Sequence, residues 1–493
     1  MASLGSKCLA EFVGTFLLVL TVCCNIGYGD PVWSGVSIGC VLMVAIYTFG
    51  KVSGANFNPA VSVTLGITNL LGGPGIPLIT VLVYIVSQIL GGTTAAFAYS
   101  AIFKKDAPSL GHEGFTWWQS GLCEALYTCM LCFVVLNVAA ARKYSVVGND
   151  WYGMAIGFVI IAGAYGAGAV SGGCFNPAVA IGLDAASLSQ GLYETKSAAG
   201  GFSLAWFECL PYAGFELAGA VFAAFLYILV RPADIEDPDI DLTICMKPTL
   251  SKLTSEFLGT FALVLTVGLN VLGESKAAAF SIAASLMCGI YALGDVSGAH
   301  FNPAVTLACL VNRNIGFGLS LAYMLTQLWA GVVAALVFEV IYYDAKKDTF
   351  KTFYLSPAEG SGWLQVGFAE GVFTAILCMT VLAVACNETS KLSTLFGLAI
   401  GSCVTVGGFA IGSISGGSLN PAVTIGVASG HLLNEYLADI VKELPNIYHD
   451  ALFYCGFEFA GALVAAIIMK LTYCPEAKAR EHAYVQHYAP LHG

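Results

Sequence analysis

Uncharged carboxamides, repeated at fixed intervals, are the groups in this sequence best placed for chemistry. They occur in four copies of Asn-Pro-Ala: Asn58-Pro59-Ala60, Asn176-Pro177-Ala178, Asn302-Pro303-Ala304 and Asn420-Pro421-Ala422. An Asn side chain donates two hydrogen bonds and accepts through its oxygen without carrying charge. Such groups orient a neutral polar molecule; they do not make or break bonds. The first and third copies lie 244 residues apart, as do the second and fourth, and 118 residues separate the members of each pair. The chain is therefore one two-motif unit written twice, and each unit is expected to hold one pore. No nucleophile triad, metal-ligand cluster or phosphate loop accompanies the motifs, so no enzyme activity, cofactor or metal is expected. The histidines are few and mostly in loops or the tail; His300, whose counterpart in the first unit is Asn56, is read as loop packing.

The elements that must position these groups are set by composition. Of 493 residues, 57% are apolar and 10% are Asp, Glu, Lys or Arg, against about 25% charged in a typical soluble protein. Mean hydropathy is +0.79, and the expected class is an all-α membrane protein. Runs long enough to cross roughly 30 Å of hydrocarbon lie near 8–28, 33–50, 77–103, 116–141, 151–170 and 205–230, and again near 252–272, 277–294, 317–343, 362–386, 393–412 and 449–473. Twelve spans in two sets of six give a first pore unit at 1–230, a polar cytoplasmic linker at 231–251, a second unit at 252–474 and a tail at 475–493. An even number of spans returns the chain to its starting side, so a short linker can join two units of one orientation. With the N-terminus cytoplasmic, twelve of the 20 Lys and Arg fall inside, which favours that orientation for both termini. Most of the 17 Cys lie inside apolar runs, among them Cys23, Cys24, Cys40, Cys129, Cys132, Cys288 and Cys378, and read as small core residues. The net charge of −11 comes partly from the linker and points to no nucleic-acid partner. Gly35/Gly39, Gly153/Gly157 and Gly397/Gly401 have the spacing that lets helix backbones approach. The first apolar run leads straight into motif-bearing segments, so no cleavable signal is expected.

Each Asn-Pro-Ala follows Ser-Gly-Xaa-Xaa-Xaa and precedes about ten apolar residues. At about 1.5 Å rise per residue such a stretch covers half a membrane, so two meeting end to end cross it once. Pro at the first helical position costs no hydrogen bond, and Asn is a favoured cap. The two N-termini meet at mid-membrane with about half a positive charge each. Irregular backbone is tolerable there only where it lines a watery cavity. The field opposes cations while the Asn amides orient a passing solute oxygen.

With these motifs in place, the chain resembles the aquaporin or major intrinsic protein family over both units. The resemblance includes Ala10-Glu11-Phe12-Val13-Gly14-Thr15 and Ser255-Glu256-Phe257-Leu258-Gly259-Thr260, a Glu in each fourth span (Glu124, Glu370) and a Gln in each third (Gln88, Gln327). It implies six tilted helices and two half-helices per pore, with four pores per assembly. Two chains would then complete a homodimeric pseudo-tetramer. It also implies that Glu11, Glu124, Glu256 and Glu370 brace the motif loops. By the same resemblance the selectivity filters are Ile38, Ala164, Gly173 and Val179 in one pore, and Ile282, Gly408, Gly417 and Val423 in the other.

Three departures from the family pattern stand out. Val179 and Val423 replace the Arg that usually follows the second motif, leaving aliphatic filters suited to neutral solutes broader than water. Val there resembles some plant vacuolar water channels, associated with water together with ammonia, urea or hydrogen peroxide. The Asp marker of glycerol channels is absent, with Ala180 and Thr424 in its place. Tyr165 and Phe409 directly follow Ala164 and Gly408, so a one-position slip would narrow either filter. Glu216 and Glu458 occupy equivalent places in the last spans, where an apolar residue is expected; they are satisfied by backbone, face the other unit, or act as a pH gate. Cys174 lies two residues before Asn176, with Ser418 as its counterpart.

The reading is a passive channel for water and small uncharged solutes, glycerol among them, in a lipid bilayer of plasma-membrane or vacuolar type. A twelve-span secondary transporter and a poorly conducting junction protein are the competing readings; the Glu residues would then couple protons, or the outer loops would serve adhesion.

Overall fold

In lipid, backbone polar groups without water partners must be satisfied internally, and the apolar runs fold accordingly as helices. The computed structural model describes residues 2–103, 110, 114–189, 208–235, 248–388, 390–437 and 444–488. Linker residues 236–247 and tail residues 489–493 lie outside the described residues, as do Lys104, Lys105, Lys196 and Lys442, four of the eight basic residues expected on the outer side. The first repeat contains α1 (Leu4–Tyr28), α2 (Ser34–Ser53), α3 (Pro59–Leu70), α4 (Leu78–Ile102), α5 (Trp117–Val135), α6 (Arg142–Val147), α7 (Tyr152–Gly166), α8 (Gly168–Ser171), α9 (Pro177–Ser189) and α10 (Cys209–Val230). The second contains α11 (Pro248–Leu272), α12 (Ala278–Leu293), α13 (Pro303–Val311), α14 (Phe317–Ile341), α15 (Trp363–Val381), α16 (Phe396–Ser415), α17 (Pro421–Leu437) and α18 (Leu444–Tyr488).

Ten helices among the described residues are long and apolar enough to cross a membrane. The fifth and eighth of the twelve expected spans are shorter: α7 has 15 residues and breaks at Ala167 before α8, and α12 has 16. The half-length stretches after the motifs form α3, α9, α13 and α17. A five-residue π turn ends the fourth span of each repeat, at Leu136–Ala140 and Leu382–Cys386. The one departure from all-helix among the described residues is a two-residue antiparallel pair, β1 (Tyr343–Asp344) with β2 (Thr349–Phe350), in the loop after α14.

The chain forms two compact units, 1–299 with 333–352 and 300–332 with 353–493, and this division does not follow the repeat. In the first unit α1 packs on α2 and α4, α5 on α10, and α2 and α12 on α7; the short α3 and α9 sit against α4 and α10. In the second, α15 packs on α16 and α18, with α13 and α17 against α18. The α2–α7 crossing depends on Gly39 and Gly157, where a Cβ on either would lie 2.7 Å from the other's carbonyl oxygen. Gly35 and Gly153 instead make room for rings: a Cβ would meet Tyr165 at 2.8 Å and Tyr47 at 2.9 Å. Gly397 and Gly401 are buried in α16.

The first unit includes α11 and α12 because they satisfy groups on first-repeat helices. The Tyr127 hydroxyl donates to Thr266 Oγ1 at 3.0 Å, Ser281 Oγ donates to the Ala162 carbonyl at 2.9 Å, and Trp151 stacks on Tyr291 with centroids 4.5 Å apart. At the end of α10, the Arg231 guanidinium donates to Asp295 through both Nη atoms at 2.9 and 2.7 Å, and to Asn137 Oδ1 through Nε at 2.7 Å. Lys143 Nζ adds a bond to Asp295 at 3.2 Å. Burial alone would raise the Asp295 carboxyl, but Arg231 and then Lys143 hold it below the usual carboxylate range. Its contribution to stability is therefore present above the carboxyl's unfolded pKa and lost as pH falls through the lower folded value.

Arg231→Ala strips the bidentate partner from a largely buried carboxylate, and loss of one partner of a buried pair costs about 3–5 kcal/mol. With Lys143 still in place the expected loss is about 3 kcal/mol. Thermal unfolding of the purified chain in detergent at neutral pH measures it, and the difference from wild type should shrink on acidification.

Candidate functional site

Each motif Asn caps the helix that its Pro begins. Asn58 Oδ1 accepts from the Ala60 N–H at 2.8 Å, Asn176 from Ala178 at 3.0 Å, Asn302 from Ala304 at 2.8 Å and Asn420 from Ala422 at 2.9 Å. With the oxygen so engaged, the NH2 group turns to the paired motif. In the first unit Asn58 Nδ2 donates to the Phe175 carbonyl at 2.8 Å and Asn176 Nδ2 to that of Phe57 at 2.9 Å. In the second, Asn302 Nδ2 donates to Leu419 at 2.8 Å and Asn420 Nδ2 to Phe301 at 3.0 Å. Both pairs of half-helices thus meet at their positive N-termini through reciprocal bonds.

The four accepting residues share an unusual backbone. Phe57, Phe175, Phe301 and Leu419 all have left-handed φ, between 49° and 54°, a conformation costing a non-Gly residue about 1–3 kcal/mol. Buried carboxylates hold these turns in place. Glu11 accepts from the Asn56 and Phe57 N–H groups at 3.0 and 2.7 Å and from the Ser53 hydroxyl at 2.6 Å. Glu124 accepts from Cys174 and Phe175 at 3.1 and 2.7 Å. Glu370 accepts from Ser418 and Leu419 at 3.2 and 2.9 Å and from the Ser415 hydroxyl at 2.6 Å. Glu256 accepts from the Ser297 hydroxyl at 2.6 Å. The Ser in these bonds is the Ser of the Ser-Gly that precedes the motifs. Gln88 Nε2 donates to Glu11 at 2.8 Å and to Ser62 at 3.0 Å, while Gln327 Nε2 donates to Thr306 at 3.0 Å.

Glu216 and Glu458 fall into the same scheme. Glu216 Oε1 accepts from the Asn176 N–H at 2.7 Å; Glu458 Oε1 accepts from that of Asn420 at 2.9 Å and from Thr424 Oγ1 at 3.1 Å. Three consecutive backbone donors, 174–176 and 418–420, are thereby gripped by two carboxyl groups in each repeat. The Ser415 and Ser171 carbonyls accept from the hydroxyls of Tyr454 and Tyr212, and that of Ser53 from Tyr84. Nothing in the sequence singles out these tyrosines, because a lone buried Tyr carries no motif.

In the first unit Ile38, Ala164, Gly173 and Val179 line one cavity of about 80 Å³ together with Asn58, Asn176 and Cys174. Aliphatic side chains such as Leu18, Val22, Leu131 and Ile160 complete the wall, and none of its lining residues is charged. Tyr165 is not in that wall: its hydroxyl donates to the Val32 carbonyl and accepts from the Val36 N–H at 3.2 Å. Ala164, not Tyr165, therefore faces the cavity. Of the second set, Ile282 lies half-buried on α12 in the first unit. In the second unit Gly417 lies beside Gly408, where a Cβ would meet the Gly408 Cα at 3.4 Å; Val423 is buried and Phe409 is 60% exposed. His300 Nδ1 is 3.1 Å from Thr306 Oγ1, matching the bond from Asn56 Nδ2 to Ser62 at 3.0 Å. It occupies the same place in its turn as its counterpart.

The chain matches the family model described as major intrinsic protein over residues 2–227, 114–276 and 249–469. It is 30% identical over 242 residues to nodulin-26 of Glycine max, covering 46% of this chain and 79% of that protein. It is 35% identical over 185 residues to glycerol uptake facilitator protein-like 6 of Lactiplantibacillus plantarum, covering 36% and 82%. Among solved structures, the aquaglyceroporin from Plasmodium falciparum covers 47% of this chain and 99% of its own at 20% identity, with a TM-score of 0.40. With the model matched across both repeats and four Asn-Pro-Ala turns built alike, this multi-pass membrane protein belongs to the major intrinsic protein family.

Proposed function

We propose that the chain is a passive channel for water and small uncharged solutes, with one pore in each repeat, at 1–230 and 252–474. The observation that carries this reading is the cavity of the first unit, where two capped Asn amides, with Asn56 and Cys174 beside them, stand in an uncharged and mainly aliphatic wall. Each Asn spends its oxygen on its own helix and one N–H on the opposite carbonyl. The remaining N–H can meet a solute oxygen, and the two helix N-termini oppose cations. Ile38, Ala164, Gly173 and Val179 act as the first filter, with Ile282, Gly408, Gly417 and Val423 as the second. Lacking an Arg, both admit glycerol, urea, ammonia or hydrogen peroxide as well as water. Glu11, Glu124, Glu256 and Glu370 brace the turns. Two chains form a four-pore pseudo-tetramer, with both termini on the cytoplasmic side of a plasma or vacuolar-type membrane.

Stopped-flow light scattering on proteoliposomes, with water, glycerol and urea gradients in parallel, tests the reading. Fast, non-saturating flux of several solutes is expected. Val179→Arg with Val423→Arg should lower the glycerol-to-water ratio roughly tenfold, equivalent to about 1.4 kcal/mol of barrier. Flux at the level of empty liposomes would favour a junction protein, and saturable gradient-coupled flux a transporter.

Cys174 offers a handle on the first pore alone, because Ser418 stands in its place in the second. A mercurial should remove only the share of water flux carried by the first pore, and Cys174→Ser should abolish the block; equal block after that substitution would refute the assignment.

Glu216 and Glu458 are proposed to brace the second motif of each pore and to gate it through the same carboxyl groups. Gln at both positions keeps an oxygen for the Asn N–H but cannot ionise, so flux at neutral pH should survive and any pH dependence should flatten. An unchanged pH profile leaves them as braces only.

A further inference from the structure

Among the buried nucleophiles outside the pore machinery, Cys309 and Cys386 stand apart. Cys309 lies in α13, about two turns after the Asn302 cap, and is wholly buried. Cys386 is the last residue of the π turn that ends the fourth span of the second repeat. Their Sγ atoms are 3.9 Å apart. A disulfide needs about 2.0 Å, so side-chain rotation must bring the sulfurs closer by roughly 2 Å. Access is one-sided. Half-buried Cys386 lines an open cavity of about 240 Å³ whose wall mixes polar Asn312, Asn314, Asn387 and Lys470 with apolar Leu382 and Met469, so reagents can reach it from solution. The Lys391 ammonium adds a positive charge near that thiol. Aligned on the motifs and the fourth-span Glu residues, the first repeat carries Leu65 and Ala140 at these positions. Only one half of the molecule has the pair.

We propose that Cys309 and Cys386 form a peroxide-sensitive dithiol, a modification site that ties the half-helix α13 to the end of α15 in the second repeat alone. The Cys386 thiolate attacks one oxygen of hydrogen peroxide; the O–O bond breaks and, with one proton, water leaves, making a sulfenic acid. The Cys309 sulfur then attacks the sulfenic sulfur, the S–O bond breaks and a second water leaves. Two thiols give up two electrons and two protons, peroxide is reduced to two waters, and one disulfide forms. Cys386, on the open cavity, is the attacking residue, and buried Cys309 the resolving one. The bond would close a long loop between the two positions and would make the repeats chemically unlike, although their motif turns are built alike.

The test uses the full chain in native membranes, treated with hydrogen peroxide, alkylated under denaturing conditions and mapped by mass spectrometry without reduction. The expected product is a cross-linked pair of peptides holding Cys309 and Cys386, absent after dithiothreitol, while enclosed thiols such as Cys123 and Cys288 are recovered alkylated. Closing the loop should also raise the apparent Tm of the second unit, reversibly with reductant. Cys386→Ser should abolish the cross-link and the Tm shift while leaving water flux in the reduced protein unchanged. Recovery of both cysteines as alkylated thiols overturns the proposal, as does Cys386 over-oxidised to sulfinic acid beside an intact Cys309. Mapping of the wild-type chain decides between these outcomes by itself, so a variant that fails to fold does not alter the result.

Discussion

Four backbone carbonyls, those of Phe57, Phe175, Phe301 and Leu419, are the points on which the rest of the molecule turns. Each belongs to a residue in left-handed conformation, and each accepts the carboxamide of the Asn on the opposite half-helix. Without those acceptors the paired half-helices would have no register, and two positive N-termini would repel. With them, each cap fixes the other, and the remaining Asn donor is left in a defined direction. The left-handed turn is what aims the carbonyl there; a β or α conformation at the same residue would point it elsewhere.

Such a turn does not hold itself. About 1–3 kcal/mol of backbone strain per residue is set against the hydrogen bonds that the buried Glu residues accept, about 0.5–1.5 kcal/mol net apiece. That balance explains why ionisable groups sit where ionisable groups are otherwise expensive. The carboxyl of Glu11 or Glu370 gathers two successive N–H groups and a Ser hydroxyl, so its burial is offset by the backbone it organises. The second motif of each repeat needs a further acceptor because three successive N–H groups face inward there, and Glu216 and Glu458 supply it. The mainly aliphatic cavity wall and the polar brace are therefore two faces of one loop: the Glu residues lie outside the cavity wall, and the carboxamides of Asn56, Asn58 and Asn176 lie in it.

Much of this is legible in the sequence alone. The half-helices follow from Asn-Pro at the head of ten apolar residues, because cap and first-turn chemistry are local. The Ser-Gly preceding each motif can be read as a recurrent feature, though not as the hydroxyl partner of a Glu some 40 residues away. Glu216 stands out only as a misplaced charge; its partner, a backbone N–H on another helix, leaves no trace in sequence. Whether Ala164 or Tyr165 faces the cavity likewise depends on the rotation of α7, which the Tyr165 hydroxyl fixes by reaching into the 32–36 segment. The repeat itself misleads in one respect: periodicity divides the chain within the 231–251 linker, but contacts divide it after residue 299. Tertiary packing chose differently because Tyr127, Ala162 and Trp151 on the first repeat find their partners on α11 and α12.

That last arrangement bears on how such a chain can be made and divided. A gene cut at the linker would encode two segments of matching motif content, yet the first would end with the Arg231 guanidinium facing no Asp295 and with Tyr127 deprived of Thr266. During synthesis the first six spans must wait for α11 and α12 before their own polar groups are satisfied. Two repeats that look interchangeable by motif are therefore not modular, and their order along the chain is part of the fold.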